Sequence, residues 1–261
     1  MLRIAGQCYS PQLIVFDKDG TLVAFDELWH FWFDQLLRSI ERRLPLSTDV
    51  RRSLAETLGY EPESNYWDPL GPLTLASTRE VCLLIAGVLY RYADVDWLCA
   101  LKVVTEAEMA SRAELDWTLV KPIGNVKATL EALRQHGITL ALATTDERES
   151  TKQQLRQLGI AELFAVIICG DDPVPLKPAP DMALWICRQV GIPPDRTLMV
   201  GDTVADLVMA RKAGCMAAIG VCSGALSAEL LAPYADAVIK DIHELEIVTG
   251  PNLDCGAIDN A

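Results

Sequence analysis

The sequence predicts an α/β protein built on a doubly wound, mostly parallel sheet, with an all-helical segment inserted near its start. Two observations carry this prediction. Short apolar segments alternate with helical patterns over the second half of the chain, and helical patterns alone fill residues 24–120. Repeated strand and helix units of this length are typical of a parallel sheet covered by helices on both faces.

The first strand is expected at Leu13–Phe16, four apolar residues that are followed by Asp17, Asp19 and Gly20. The charged residues and the glycine end the apolar run, so the strand should open into a tight turn. Side chains two residues apart on an extended backbone point to the same side, so Asp17 and Asp19 are expected to face one cavity. Such a pair attracts a divalent cation and also suits a nucleophile beside an acid or base.

Two other interpretations fit an Asp-x-Asp-Gly run. An EF-hand loop needs glycine at its sixth position and glutamate at its twelfth, where this chain has Leu22 and Leu28, so that interpretation fails. A solvated turn after a strand remains the plain alternative for this segment taken alone. The remaining motifs of the chain favour the functional interpretation.

The inserted segment has helical periodicity. Apolar residues recur every three or four positions from Phe25 to Leu36 and should form the core face of a helix. Further helices are expected at 48–58, 77–92 and 95–115, with a loop at 61–73. An insertion of this size predicts a separate helical domain, 24–120, between the two parts of an α/β core, 1–23 and 121–249. The tail, 250–261, has no periodicity and is expected to be disordered.

Strands and helices alternate through the rest of the core. Strands are expected at 139–143, 165–169, 197–200, 216–220 and 237–239, and helices at 126–136, 149–158, 181–190, 205–213 and 227–231. Glycines directly follow several of these helices, as helix ends favour.

Composition limits the partners and the location. A formal charge of −13 and a pI near 4.7 argue against nucleic acid or an anionic membrane surface as a partner. The longest uncharged apolar run, 81–90, is too short to span a bilayer. The eight cysteines are scattered without a Cys-x-x-Cys pair, which predicts reduced, buried thiols and a cytoplasmic protein.

Three further signals fall where strands of the predicted sheet end, which is where this architecture carries its sites. Thr144 and Thr145 follow one strand, and a hydroxyl beside turn N–H groups can hold a phosphoryl oxygen. Lys177 is framed by prolines and offers the cation that a phosphate site needs. Asp202 and Asp206 follow a third strand as a candidate metal ligand and its support, with ordinary helix capping as the alternative.

Four motifs occur in order along the chain: Asp-x-Asp-Gly-Thr, a strand-end threonine, Lys-Pro and Gly-Asp-x-x-x-Asp. With them the sequence resembles the haloacid dehalogenase superfamily of phosphohydrolases. The insertion directly after the first motif is similar to the phosphoglycolate-phosphatase-like branch with an α-helical cap on a Rossmann-like core. The resemblance implies a nucleophile at Asp17, a general acid/base at Asp19, and a Mg²⁺ site. It implies these site residues: Asp17, Asp19 (through its backbone carbonyl) and Asp202 for the metal, Thr21 and Asp206 supporting them, and Thr144, Thr145 and Lys177 for the phosphate.

The resemblance therefore implies a Mg²⁺-dependent phosphatase acting on a small phosphorylated metabolite, phosphoglycolate-like or a sugar phosphate, through a phosphoaspartate. We expect no nucleic acid or membrane partner, and a monomer or homodimer. Thr145 departs from the asparagine of many relatives, and the insertion is longer than the usual cap. A sugar-phosphate mutase of the same superfamily stays open as an alternative. A non-catalytic binding or regulatory protein on this fold is a second one, although the intact set of acidic residues and Lys177 disfavours it.

Overall fold

The computed structural model describes residues 1–64 and 66–249. The chain folds into two compact units. The core unit comprises Met1–Ala24 and the chain from Val120 onward, and the helical unit comprises Phe25–Leu119. Each unit has its own cluster of buried apolar residues. The tail that was expected to be disordered, 250–261, lies outside the described residues.

The elements follow one another along the chain. The strands are β1 (Leu2–Ile4), β2 (Gln7–Tyr9), β3 (Leu13–Phe16), β4 (Tyr60–Glu61), β5 (Tyr66–Trp67), β6 (Thr139–Ala143), β7 (Val166–Ile168), β8 (Thr197–Gly201), β9 (Ala217–Val221), β10 (Ala237–Ile239) and β11 (Glu246–Ile247). The α-helices are α1 (Asp26–Arg43), α2 (Thr48–Leu58), α3 (Pro72–Leu75), α4 (Thr78–Tyr92), α5 (Trp97–Ala113), α6 (Val126–Gln135), α7 (Arg148–Gln157), α8 (Asp181–Val190), α9 (Val204–Ala213) and α10 (Ala228–Leu231). Single 3₁₀ turns lie at 117–119, 161–163, 194–196 and 242–244.

The core unit is built on a six-stranded sheet in the order β10-β9-β8-β3-β6-β7, and every pairing in it is parallel. All four residues of β3 are buried, as a strand covered on both faces must be. The chain leaves β3 toward β6 and β7 on one side and then crosses to β8, β9 and β10 on the other. This confirms the predicted α/β architecture, and it makes β3 the strand at which the winding direction reverses.

The helices that flank this sheet are those the sequence predicts. From α6 to β10, no boundary differs from its expected position by more than one residue. The N-caps and C-caps explain this accuracy: Asn125 caps α6, Thr203 caps α9, and α9 ends at Gly214 with φ of 74°. These are local signals, and they can be recognised without knowledge of the tertiary structure.

A small antiparallel sheet of the core unit was not predicted. Its order is β11-β1-β2, with Leu2 paired to Ile247 on one side and to Tyr9 on the other. The turn between β1 and β2 places Ala5 at φ 47° and Gly6 at φ 82°. Strands of two or three residues carry too little alternation to be recognised from sequence, and this sheet forms because distant segments meet.

The helical unit packs α1, α2, α4 and α5 around an apolar core. Ser47, Ser77 and Asp96 cap three of these helices, each by accepting a backbone N–H. The expected loop at 61–73 is only partly a loop, because β5 pairs with β4 there and α3 begins at Pro72. Proline is favoured at the first position of a helix, where no N–H is needed, so this proline starts a helix.

The cysteines correct one expectation. Six described cysteines are free thiols, of which Cys169 and Cys187 are buried and Cys99 is exposed. Cys8 is disulfide-bonded, so the prediction that all eight thiols are reduced and buried is wrong. Burial raises the pKa of the Cys169 thiol to about 11, which makes it a poor nucleophile at neutral pH. Within residues 1–64 and 66–249, none of the helices is long and apolar enough to cross a membrane.

Candidate active site

The candidate site lies where β3, β6 and β8 end side by side. Phe16 of β3 pairs with Leu142 of β6 and with Val200 of β8. Asp17 continues the sheet, because its N–H donates to the Val200 carbonyl at 2.9 Å. The chain adds strands on opposite sides of β3. Open α/β sheets bind ligands outside the carboxyl ends of the strands where the winding direction reverses in this way.

Lys177 reaches this edge from the loop after β7. Its Nζ donates to Asp17 Oδ1 at 2.5 Å, to Asp206 Oδ1 at 2.6 Å and to the Ala143 carbonyl at 3.1 Å. The Lys177 side chain is only 4% exposed. An ammonium has three N–H donors, and three acceptors hold it here, so Lys177 fixes the carboxylate of Asp17.

Burial shifts the ionisation of the acidic groups. Burial disfavours the charged carboxylate of Asp17 and raises its pKa to about 6, although the Lys177 ammonium opposes the rise. Burial, followed by repulsion from Asp17 and Asp206, raises the pKa of Asp202 well above its usual value. Burial alone would lower the pKa of Lys177, but the attraction of Asp17 and Asp206 outweighs it and raises that pKa. The site therefore has a surplus of negative charge.

The excess negative charge is concentrated on three carboxylates that could bind a cation. Asp17, Asp202 and Asp206 each offer a carboxylate oxygen, and the three oxygens lie within 4.8 Å of one another. One lysine balances one of three carboxylates, and a divalent ion would balance the other two. Carboxylate oxygens are ligands that Mg²⁺ prefers, so the donor set fits this ion. Asp19 does not join the set through its carboxylate, which lies 2.7 Å from Lys18 Nζ.

Two glycines hold the carboxylate of Asp202 in place. A Cβ atom at Gly20 or at Gly224 would collide with Asp202 Oδ2, so both backbones approach it more closely than any other residue type allows. Ser223 Oγ donates to the Gly20 carbonyl at 2.7 Å and joins the two segments. Thr21 Oγ1 lies 3.3 Å from Asp202 Oδ1, and its role in supporting the metal ligands stays a prediction.

Asp206 takes part in helix capping, the plain alternative for its position, and its other oxygen contacts Lys177. Its Oδ2 accepts the N–H of Thr203 at 3.2 Å and the hydroxyl of Thr203 at 2.6 Å, which closes a capping box at the start of α9. Its Oδ1 accepts from Lys177. One carboxylate therefore caps a helix and orients the lysine.

The two threonines continue β6 toward the same edge. Thr144 is buried, its N–H donates to the Ile168 carbonyl at 3.1 Å, and its Oγ1 accepts the N–H of Asp146 at 3.1 Å. The Thr144 hydroxyl keeps its own proton for donation to a ligand. Thr145 is half-buried. Within the described ranges, no hydrogen bond joins either threonine to Asp17 or Lys177.

Arg148 lies beside the loop that carries Lys177, and sequence reasoning did not single it out. Its guanidinium binds the carboxylate of Asp172 and, at 3.2 Å, the Ile167 carbonyl, while its N–H donates to Asp171 Oδ1 at 3.0 Å. These contacts anchor the beginning of the loop that carries Lys177. The sequence signal was only an arginine at the start of a helix, which is most often a solvated residue.

Lys18 is the second residue that was missed. It lies between the two acidic residues of the first motif, yet it is 0% exposed and contacts Asp19, Asp146 and Gln154. A lysine in an apparent turn gives no sign that it is buried, so only its contacts could identify it.

Comparisons with known proteins identify relatives over most of this chain. A family model described as haloacid dehalogenase-like hydrolase matches residues 11–214. A phosphoglycolate phosphatase of Haemophilus influenzae is 29% identical over 82% of this chain and 86% of its own length. A protein named probable phosphatase IndB, from Dickeya dadantii, is 31% identical over 88% of this chain and 89% of its own length.

Other similarities are narrower or concern the fold alone. The chain spans less than half the length of two phosphoglycolate phosphatases that it matches, 44% of one from Pasteurella multocida and 40% of one from Vibrio vulnificus. A crystal structure of a predicted phosphoglycolate phosphatase from Haemophilus somnus superposes with a TM-score of 0.69 at 22% identity, over 89% of this chain and 95% of that one. The family model, in contrast, spans most of the sequence and includes every residue of the site described above except Ser223 and Gly224. The chain belongs to the haloacid dehalogenase-like hydrolase family.

Proposed function

We propose that this chain is a Mg²⁺-dependent phosphatase that hydrolyses a small phosphate monoester through a phosphorylated Asp17. The observation that carries the proposal is the buried contact between Lys177 and Asp17 beside Asp202. Lys177 binds Oδ1 of Asp17, and Oδ2 accepts no hydrogen bond from the described part of the chain. That oxygen is therefore available for attack. The relatives that match over most of their length are named phosphatases, which supports the class of phosphoric monoester hydrolases.

In the first step, an oxygen of Asp17 forms a bond to phosphorus while the bond from phosphorus to the leaving oxygen breaks. Asp19 gives its proton to that leaving oxygen, which departs as an alcohol. Lys177 orients Asp17, and the Thr144 hydroxyl with the neighbouring turn N–H groups donates to the phosphoryl oxygens. Both oxygens of Asp206 already accept hydrogen bonds, from Lys177 and Thr203. Asp17 and Asp202 would therefore hold Mg²⁺ together with the Asp19 carbonyl that the family resemblance implies. The ion would neutralise charge on the phosphoryl oxygens.

In the second step, Asp19 returns as a base. It takes a proton from water, the water oxygen bonds to phosphorus, and the bond from phosphorus to Asp17 breaks. Inorganic phosphate and the free carboxylate of Asp17 result. Asp17 is the leaving group of this step, and the Lys177 ammonium at 2.5 Å stabilises the carboxylate that forms.

We propose phosphoglycolate or a similar small anionic ester as the substrate. Relatives named phosphoglycolate phosphatase support this choice. The net charge of −13 would repel such a substrate, so local positive charge from Lys177 and a bound cation must outweigh it. A panel of small phosphate esters, with phosphoglycolate and several sugar phosphates, tests the substrate separately from the activity.

Two variants test the chemistry. Asp17→Asn should abolish hydrolysis of p-nitrophenyl phosphate and leave no covalent adduct. Asp19→Ala should slow the second step more than the first, because a nitrophenolate leaves without a proton, so phosphoenzyme should accumulate. General acid–base help contributes about 10²–10⁴-fold, which is large enough to resolve. Intact mass after acid quench should show one added phosphoryl group. A phosphoryl group on a residue other than Asp17, or wild-type turnover by Asp19→Ala, would contradict the mechanism.

We retain a cytoplasmic location and a monomer or homodimer as proposals. The free thiols of six described cysteines support a reducing compartment, and the disulfide at Cys8 opposes it. Light scattering after size exclusion measures the oligomeric state. Mass spectrometry of thiols alkylated in intact cells would show whether Cys8 is oxidised there.

A further inference from the structure

Lys18 carries a buried ammonium that the proposed mechanism does not use. Its Nζ lies 2.7 Å from Asp19 Oδ2 and 2.8 Å from Asp19 Oδ1, so it faces both oxygens of that carboxylate. It also donates to Gln154 Oε1 at 2.6 Å and lies 3.1 Å from Asp146 Oδ2. The Lys18 side chain is 0% exposed, whereas that of Asp19 is 16% exposed. The carboxylate of Asp19 is therefore bound to Lys18, while part of its side chain stays exposed.

The partners of Lys18 are themselves held in place. Asp146 Oδ1 accepts the N–H of Glu147 at 2.7 Å, and Asp146 Oδ2 accepts from Gln154 Nε2 at 3.2 Å. Gln154 Nε2 also donates to Ser150 Oγ at 3.0 Å. Both Asp146 and Gln154 are buried. The ammonium of Lys18 is thus held by Asp146 in the turn before α7 and by Gln154 within α7, in addition to Asp19.

This network also reaches the phosphate side of the site. The N–H of Asp146 donates to Thr144 Oγ1 at 3.1 Å, so the residue that holds Lys18 also orients Thr144. Lys18 therefore connects the turn after β3, where Asp19 lies, with the turn after β6, where Thr144 lies. A buried charge is costly unless it is paired, and here the pairing fixes two turns relative to each other.

We propose that Lys18 is a positioning residue that sets where the Asp19 carboxylate stands when it exchanges protons with the leaving oxygen and with water. The inference rests on the proposed function and deepens it. Without the ammonium, Asp19 can adopt other rotamers of its short side chain. A misplacement of about 1 Å in such a group costs about 10²-fold in rate.

The variant must remove the ammonium without leaving Asp146 as an unpaired buried charge, because that would threaten folding. Asp146→Asn keeps the shape of the side chain and removes this charge. Lys18→Met is therefore always made together with Asp146→Asn, and Asp146→Asn alone is the control. This joint change and Asp19→Asn are made separately and together, so that Lys18 keeps a charged partner, Asp146 or Asp19, wherever it is present. Circular dichroism with thermal unfolding verifies each fold.

The readout is a double-mutant cycle on the rate of dephosphorylation. We expect Lys18→Met to slow this step about 10²-fold when Asp19 is present, and by less than about threefold when Asp19→Asn is already present. With p-nitrophenyl phosphate, Lys18→Met should also accumulate phosphoenzyme. If Lys18 had a merely structural role, replacing it would slow dephosphorylation by the same factor with Asp19 and with Asn at that position. That result, or no slowing in either case, would overturn the inference.

Failure of the proposed function has a different signature. If the wild-type protein hydrolyses no phosphate ester, the proposed function and this inference are both wrong. If the wild-type protein forms phosphorylated Asp17 and the cycle is additive, only the role of Lys18 is wrong.

Discussion

Lys177 Nζ lies 2.5 Å from Asp17 Oδ1, although the two residues are 160 positions apart in the chain. The same ammonium lies 2.6 Å from Asp206 Oδ1, so two carboxylates share one cation. The negative charge of Asp17, the proposed nucleophile, is therefore neutralised by a lysine on a loop that is distant in sequence. Substitutions of single residues can test this pairing.

Removing the ammonium should disable the nucleophile. We expect Lys177→Met to lower kcat for p-nitrophenyl phosphate by at least about 10²-fold, because a preorganised charge is lost at the reacting centre. It should also destabilise the fold by about 3–5 kcal/mol, since Asp17 and Asp206 remain buried without their partner. Exposed Lys212 on α9 offers the control, and Lys212→Met should stay within about twofold of wild type. A Lys177→Met protein with wild-type kcat would contradict the assignment.

The raised pKa of Asp17 makes the stability of the metal-free protein depend on pH. The folded pKa of about 6 exceeds the ordinary value of 3.8, so the folded chain binds this proton more tightly than the unfolded chain. The contribution of Asp17 to the free energy of unfolding is therefore complete below about pH 4 and is lost as the pH rises through about 6. The difference between the two pKa values corresponds to about 3 kcal/mol of stability.

Urea unfolding with a chelator measures this effect. The free energy of unfolding of the wild type relative to Asp17→Asn should fall by about 3 kcal/mol from about pH 4 to about pH 7. Added Mg²⁺ should reduce the fall, because the ion stabilises the charged carboxylate. A difference that does not change with pH, or that grows, would show that Asp17 is not held in the way described.

Metal binding should depend on Asp202. We expect chelation to abolish activity, Mg²⁺ to restore it, and Ca²⁺ to restore it poorly because its coordination is larger and more variable. Mg²⁺ at 100 times its Kd should stabilise the wild type by about 2.7 kcal/mol. Asp202→Asn should lose this stabilisation and be more stable than wild type without metal, because a buried charge is removed. Exposed Asp195→Asn should behave like wild type, and full activity after exhaustive chelation would exclude the metal requirement.

The helical unit should determine which esters are turned over. The two connections to it are adjacent, because Ala24 N–H donates to the Lys121 carbonyl at 2.8 Å and Val23 pairs with Pro122. Residues 25–119 can therefore be replaced by a short Gly-Ser linker. We expect kcat/KM for phosphoglycolate to fall at least about tenfold more than kcat/KM for p-nitrophenyl phosphate. Equal losses on both esters would favour a purely structural role.

The sequence by itself determined the order and type of the core elements. Leu13–Phe16 is a continuous apolar run, and glycines close the helices, so each boundary depended on residues within a few positions. The candidate residues at the ends of β3, β6 and β8 could be predicted for the same reason, because parallel strands must present their carboxyl ends at one edge. The apolar patterning of residues 24–120 likewise predicted helices without reference to the rest of the chain.

Only the tertiary structure decided how those residues are used. That Asp17 and Asp19 face one cavity stays a prediction, but nothing in the sequence indicated that the carboxylate of Asp19 lies against Lys18 or that Asp206 joins the cluster of acidic oxygens. The glycine contacts of Asp202 and the small sheet of β1, β2 and β11 also join segments that are far apart in sequence. Helix and strand signals arise from neighbours along the chain. The partner of a buried charge is selected instead by the cost of leaving it unpaired among whichever segments the fold brings together.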